Sequence, residues 1–344
     1  VTGEAVRLAD ISGNDKLLAR AEQERGRALG LVSREEEARQ ASAHAVRLAE
    51  EVNDLATLQT SLNNLAYLQR RAGNLRGAEE SYRRSLDVAE RVGDPSVTAF
   101  ARFVLGRVYV EQGRWTEARA EFENALRASQ SAGSSWYSSY AMAGLGYVDL
   151  LEGNRDEGLR YLHEAVSIAE RNEDLQGLMI HRYIARQEIL DGRPGDAVAR
   201  LERVRELTAR AGRELYQNEL TWALIEAGNE ERAAEFLQHV DERILFEGRV
   251  EMTWVFWTKA MLAARQGRLD DAMQCLEEGL TLAREIGIPF DEGLLLVEYG
   301  RILARKGTDE AAHQRLEAAL AIFQRLGARP YSDLIQGEMQ LLRV

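Results

Sequence analysis

The chain runs to 344 residues, longer than one compact core usually serves, so two or more domains or an elongated repeat array is expected. Four prolines, 45% hydrophobic residues and a density of Ala, Leu, Glu and Arg predict an all-α protein. The formal net charge is −12, with Lys only at Lys16, Lys259 and Lys306, so nucleic-acid binding is not expected; the single Cys275 excludes an intramolecular disulfide framework, and no run reaches a membrane span of roughly 18 apolar residues.

Residues 1–15 give little signal as an N-terminal extension, and "VTGEAVRLADISG" has no signal-peptide apolar core. A cytoplasmic location is expected, and the initial Val suggests a piece of a longer polypeptide. From residue 16 to 330 an internal period dominates. Gly73, Gly113, Gly153, Gly192, Gly228, Gly267 and Gly307 follow amphipathic segments at spacings of 40, 40, 39, 36, 39 and 40 residues, with Ser33 one period upstream. Twenty residues on lies a second column: Asn53, Gly93, Gly133, Gly212, Gly248, Gly287 and Gly327, with Glu173 as its departure. Gly and Asn accept the left-handed conformation that ends a helix, so each period reads as helix A, turn, helix B, turn.

Small residues recur five positions after the first glycine, as in Ala78, Ala118, Gly158 and Ala272, and seven before it, as in Ala66, Gly106, Gly146 and Gly300. Facing small residues allow two backbones to approach closely, and Tyr82, Phe122, Leu162 and Leu276, nine past the glycine, fill the layer. About eight hairpins are predicted. The Ser-rich "SAGSSWYSSY" (131–140) reads as a loop entering a helix, and the tail 331–344 as a helix capping the last repeat.

Leu105, Gly106, Tyr109, Gly113, Trp115, Ala118, Phe122 and Ala125 resemble the tetratricopeptide repeat pattern nearly position for position. The period near forty is similar to the longer repeats in the arms of MalT-like and LuxR-type large regulators and other bacterial signal-transduction ATPases. The resemblance implies a right-handed α-solenoid of about eight helical hairpins with a C-terminal capping helix.

Chemical motifs are lacking. No phosphate-binding loop, HExxH, nucleophile elbow or CxxC is present, and the five histidines sit in separate repeats. "GLGYVD" (144–149) lacks the third glycine and the preceding strand of a dinucleotide loop. Cys275 has no His or Lys at helical spacing to activate it. No catalytic residue, metal or cofactor is expected, and the chain reads as a non-enzyme.

In the resembled family, the residues 13, 10, 6, 3 and 2 before the turn glycine line the concave face. They include ten Arg and eight aromatics but only two acids, Glu111 and Glu226. Candidate groove residues are Arg27, Tyr67, Arg70, Arg107, Tyr147, Arg182, Arg186, Asn218, Trp222, Trp254, Trp257, Arg301 and Arg305. Arg offers bidentate donors to carboxylate or phosphate, and Tyr and Trp make strong contact anchors. The favoured expectation is a protein- or peptide-binding scaffold for an acidic or phosphorylated segment, acting as the sensing arm of a signalling or transcription regulator, with homo-oligomerisation among the expected associations. Alternatives are a small-molecule or peptide-pheromone receptor, the regulatory half of an enzyme whose catalytic domain lies elsewhere, or ordinary packing with solvated Arg.

Overall fold

The computed structural model describes residues 2–32, 34–174, 177–210, 218–238 and 248–341. Among these residues there are eighteen α-helices, one 3-10 turn and no strand. A first helix, α1 (Thr2–Ile11), stands where the sequence offered little signal. Eight hairpins follow: α2 (Asp15–Leu31) with α3 (Glu35–Glu51), α4 (Leu55–Arg71) with α5 (Leu75–Val92), α6 (Pro95–Glu111) with α7 (Trp115–Ser131), α8 (Ser135–Glu152) with α9 (Arg155–Arg171), α10 (His181–Leu190) with α11 (Pro194–Arg210), α12 (Asn218–Glu226) with α13 (Glu230–Gln238), α14 (Arg249–Arg265) with α15 (Leu269–Ile286), and α16 (Pro289–Arg305) with α17 (Asp309–Leu326). The 3-10 turn Gly177–Ile180 leads into α10, and α18 (Arg329–Leu341) covers the last hairpin. This is an all-α solenoid.

Local chemistry sets each boundary. Asp54, Asn74, Asp94 and Ser134 accept backbone N–H bonds from the first turns of α4, α5, α6 and α8, supplying partners those amides would otherwise lack. All seven glycines of the first column turn the chain at φ between 73° and 85°. In the second column Asn53 and Glu173 adopt the same conformation at φ 51° and 52°, while Ser33 and Gly212 lie outside the described residues.

The small-residue columns are crossing points. A Cβ on Gly146 would stand 2.7 Å from the Gly158 carbonyl oxygen, so α8 and α9 touch backbone to backbone. Phe122 is wedged from α7 between two A helices: Cβ atoms on Gly106 and Gly144 would meet its ring at 2.6 and 2.7 Å. Phe122 is 1% exposed, and burying an aromatic of that size contributes on the order of 2–3 kcal/mol.

The solenoid bends until it meets itself. Gly73, in the turn of the second hairpin, abuts Ile286 and Arg249 of the seventh; Gly113, of the third, abuts Leu326 and Pro289 of the eighth; Gly153, of the fourth, abuts Pro330 and Arg329 of the cap. Arg329 Nε donates to the Glu152 carbonyl at 2.5 Å, and its Nη2 to Asn154 Oδ1 at 2.8 Å. The seam thus joins hairpins five apart, and the A helices of hairpins two to eight become the staves of a barrel.

Candidate ligand-binding cavity

Inside the staves lies a cavity of about 810 Å³, lined by residues of α4, α6, α8, α10, α12, α14 and α16. That is near the upper end of the roughly 300–1,000 Å³ typical of sites for drug-sized ligands. Its wall divides into a guanidinium column, a shared ion pair and an aromatic bay.

The column begins with Tyr147 and Tyr183, stacked with ring centroids 4.2 Å apart. Arg186 lies over the Trp254 ring at 4.0 Å, donates to the Tyr147 hydroxyl at 2.5 Å and reaches Glu219 Oε1 through Nε at 2.9 Å. Burial alone would raise the Glu219 carboxyl, but Arg186 and Arg182 hold it below its ordinary range. Tyr183 is similar: burial pushes its phenol up, and Arg182, Arg107 and Arg186 bring it below the usual tyrosine value. Arg182 donates to the Tyr183 hydroxyl at 3.2 Å and sits over its ring at 4.9 Å.

Arg70 is the shared pair. Its guanidinium, 8% exposed, donates through Nε to Glu111 Oε1 at 2.8 Å and through Nη2 to Glu251 Oε1 at 2.8 Å, tying α4 to its neighbour α6 and across the seam to α14. Next along the wall, Asp291 accepts from Thr253 Oγ1 at 2.5 Å and from Trp254 Nε1 at 3.2 Å, and burial pushes its carboxyl up to about 6.

The aromatic bay comes from α6 and α8. Phe103 stacks on Tyr140 at 5.3 Å and Phe100 lies 5.9 Å from Tyr137, while the half-exposed Trp136 approaches Tyr137 and Tyr140 at 6.4 Å each. Helix α6 carries Phe100, Phe103 and Arg107 at spacings of three and four, which put all three on one face.

Of the thirteen residues expected in the groove, Tyr67, Arg70, Arg107, Tyr147, Arg182, Arg186, Asn218 and Trp254 line the cavity. Trp222 and Trp257 do not. They are buried at 6% and 5% exposure and pack around Trp254, with centroid distances of 5.1 to 6.1 Å, so they brace the wall from behind. Arg27 is exposed, pairs with Glu24 at 2.6 Å and belongs to the first hairpin, which precedes the staves. Arg301 is held by Glu338 at 2.5 Å and Glu298 at 3.3 Å, and Arg305 is exposed; neither lines the cavity.

The lining is also less cationic than its sequence pattern. Against Arg70, Arg107, Arg182 and Arg186 stand Glu111, Glu219, Glu251 and Asp291. Sequence reasoning missed Glu219 because it lies nine residues before its turn glycine, between two register positions, and missed Glu251 and Asp291 because the family register begins 13 residues before that glycine. Val97, Tyr137, Glu251 and Asp291 all lie 16 before it, one helical turn earlier, and all four line the cavity. Cys275 lies outside the cavity, half-buried, with its thiol pushed up by burial, as an unreactive packing residue would be.

Comparison with known proteins places these observations. Residues 57–131 and 255–286 match two tetratricopeptide repeat models, and residues 31–72 match the model of anaphase-promoting complex subunit 5. The chain therefore carries tetratricopeptide repeats. Solved structures with the same fold include apo RapI, 14% identical with a TM-score of 0.50 over 82% of this chain and 90% of that one. The Rap conjugation gene regulator of plasmid pLS20, in complex with the Phr* peptide, is 13% identical with a TM-score of 0.51 over 92% of this chain and 76% of that one. A comparison with curated proteins returns no match. Among the described residues, no helix is long and apolar enough to cross a membrane.

Proposed function

We propose that this chain is a non-enzymatic receptor arm that takes a short peptide wholly inside the barrel and passes its occupancy to a signalling or transcription regulator. The observation that carries this reading is the closed seam around a cavity of about 810 Å³ whose wall joins guanidinium groups to aromatic rings. The sequence favours a protein or peptide segment held in a concave groove. The seam between hairpins five apart favours the enclosed ligand instead, because a long partner would have to part Gly113 from Leu326 and Pro289. The pLS20 regulator of the same fold, solved with a peptide bound, is in keeping with this choice. Acidic character in the ligand fits Arg107 and Arg182, and the resemblance of the repeats to regulator arms suggests the output.

Binding would act as a linkage: a ligand that prefers the closed barrel stabilises it, by about 2.7 kcal/mol at a concentration one hundred times its Kd. The test is thermal melting of the full chain with the peptide and macromolecular fractions of a cell extract. The peptide fraction should raise the melting temperature. Thr60→Trp, which places a bulky ring at the cavity wall, should abolish the rise without lowering the unliganded melting point. A rise produced only by the macromolecular fraction and untouched by Thr60→Trp would refute the enclosed-ligand assignment.

A further inference from the structure

Charge inside the cavity is balanced in number but not in place. Arg70 and Arg186 are each held by carboxylates, whereas Arg107 and Arg182 have no carboxylate within ion-pair distance among the described residues, although four acids line the same cavity. Among the described residues their guanidinium groups meet rings and a phenol: Arg107 sits 5.9 Å from the Phe103 centroid, and Arg182 donates to the Tyr183 hydroxyl. Both arginines line the same cavity as Tyr183 and both bear on its phenol. A half-buried cation with no carboxylate in direct contact has lost hydration that an incoming anion can replace.

The opposite imbalance stands at the seam. Glu111 and Glu251 share the single cation of Arg70, leaving that group one negative charge in excess. Glu251 Oε2 has no hydrogen-bond partner among the described residues. Neither has Oδ1 of Asn218, whose amide Nδ2 donates to the Glu251 backbone carbonyl at 3.4 Å. Asn218 is 8% exposed, so this is a buried acceptor left unsatisfied, which native interiors rarely tolerate without a ligand or water.

We infer that the cavity is bipolar and takes a zwitterionic ligand, its anionic group held by Arg107 and Arg182 and its ammonium group by Glu251 and Asn218, with a large apolar side chain in the Phe103–Tyr140 bay beside the anion. This rests on the receptor reading and narrows its ligand. A purely acidic segment satisfies one pole and leaves the other unmet. The anion is a terminal carboxylate, a side-chain carboxylate or a phosphate, and the ammonium is a peptide N-terminus or a lysine.

The probe is a random mixture of linear hexapeptides offered to the full chain, with retained peptides identified by native mass spectrometry and binding read by melting temperature. The free mixture should bind. A C-amidated mixture without acidic or phosphorylated residues should bind at least about tenfold more weakly, as should an N-acetylated mixture without lysine, since each loses a charge-assisted contact. Loss on amidation alone identifies a terminal carboxylate; loss only when acidic residues are also omitted identifies a side-chain anion. Both support the anionic pole.

The double variant Arg107→Gln, Arg182→Gln should lose discrimination against amidated peptides, and Glu251→Gln that against acetylated ones. Arg182→Lys keeps the charge and should retain the preference, which separates recognition from folding. Capped and free mixtures bound equally well would overturn bipolarity and leave the receptor reading intact. No binding by any mixture would remove both.

Discussion

Gly113 and Gly267 occupy equivalent turns at φ 74° and 76°, yet their surroundings differ. A Cβ on Gly267 meets open space, whereas one on Gly113 would lie 2.5 Å from Leu326 and 2.8 Å from Pro289. Gly267→Ala should therefore cost only the left-handed strain, at the low end of about 1–3 kcal/mol. Gly113→Val adds steric overlap at the seam and should cost on the order of 2–5 kcal/mol. Equal melting curves for the two variants would refute the seam contact. At Asp291 the relevant variable is pH. Burial pushes its folded-state carboxyl from 3.8 up to about 6, so across that window the folded chain keeps a proton that the unfolded chain has released. Stability contributed by this group falls as pH rises between those values. Asp291→Asn should match wild type near pH 4 and exceed it at pH 7 by on the order of 1 kcal/mol; parallel pH profiles in thermal melts would contradict the assignment.

Each hairpin is held by a close crossing that leaves no room for growth. Ala118 is fully buried where α7 crosses α6, and Ala118→Leu should cost about 1–3 kcal/mol by forcing the helices apart. In a solenoid stability is nearly a sum over neighbouring repeats, so hydrogen exchange should show lost protection concentrated in α6 and α7 and fading along the chain. Protection that falls uniformly, or stays unchanged in α6, would count against this crossing.

Closure of the barrel depends on few contacts, and Arg70 is central among them. Arg70→Met would leave Glu111 and Glu251 facing each other half-buried without their cation, a change that costs roughly 3–5 kcal/mol when a buried pair is broken from one side. The expected outcome is a lower melting temperature and, by small-angle scattering, a larger radius of gyration as α4 and α14 separate. Glu251→Gln keeps the Arg70–Glu111 pair and should expand the molecule less. Scattering curves that superimpose for wild type and Arg70→Met would mean that the seam is held elsewhere, for instance by Arg329 on Glu152 and Asn154.

The repeat architecture was legible before any coordinates because its causes are local. A glycine at positive φ, a capping Asn or Asp, and small residues at fixed offsets act between groups within one period, so every hairpin could be read from its own forty residues. Glu173 was the exception, since nothing in its side chain announces φ 52°. The cavity lay beyond such reading. Eight of the thirteen candidates drawn from the family register line it, but Glu251 and Asp291 become interior only when the ring shuts, and Trp222 and Trp257 are drawn behind the wall by packing on Trp254. Curvature accumulates as a small rotation at each repeat, summed over five of them before Gly113 meets Leu326. A sum of many small angles, set by helix lengths and side-chain volumes across the whole chain, has no signature in any single stretch of residues.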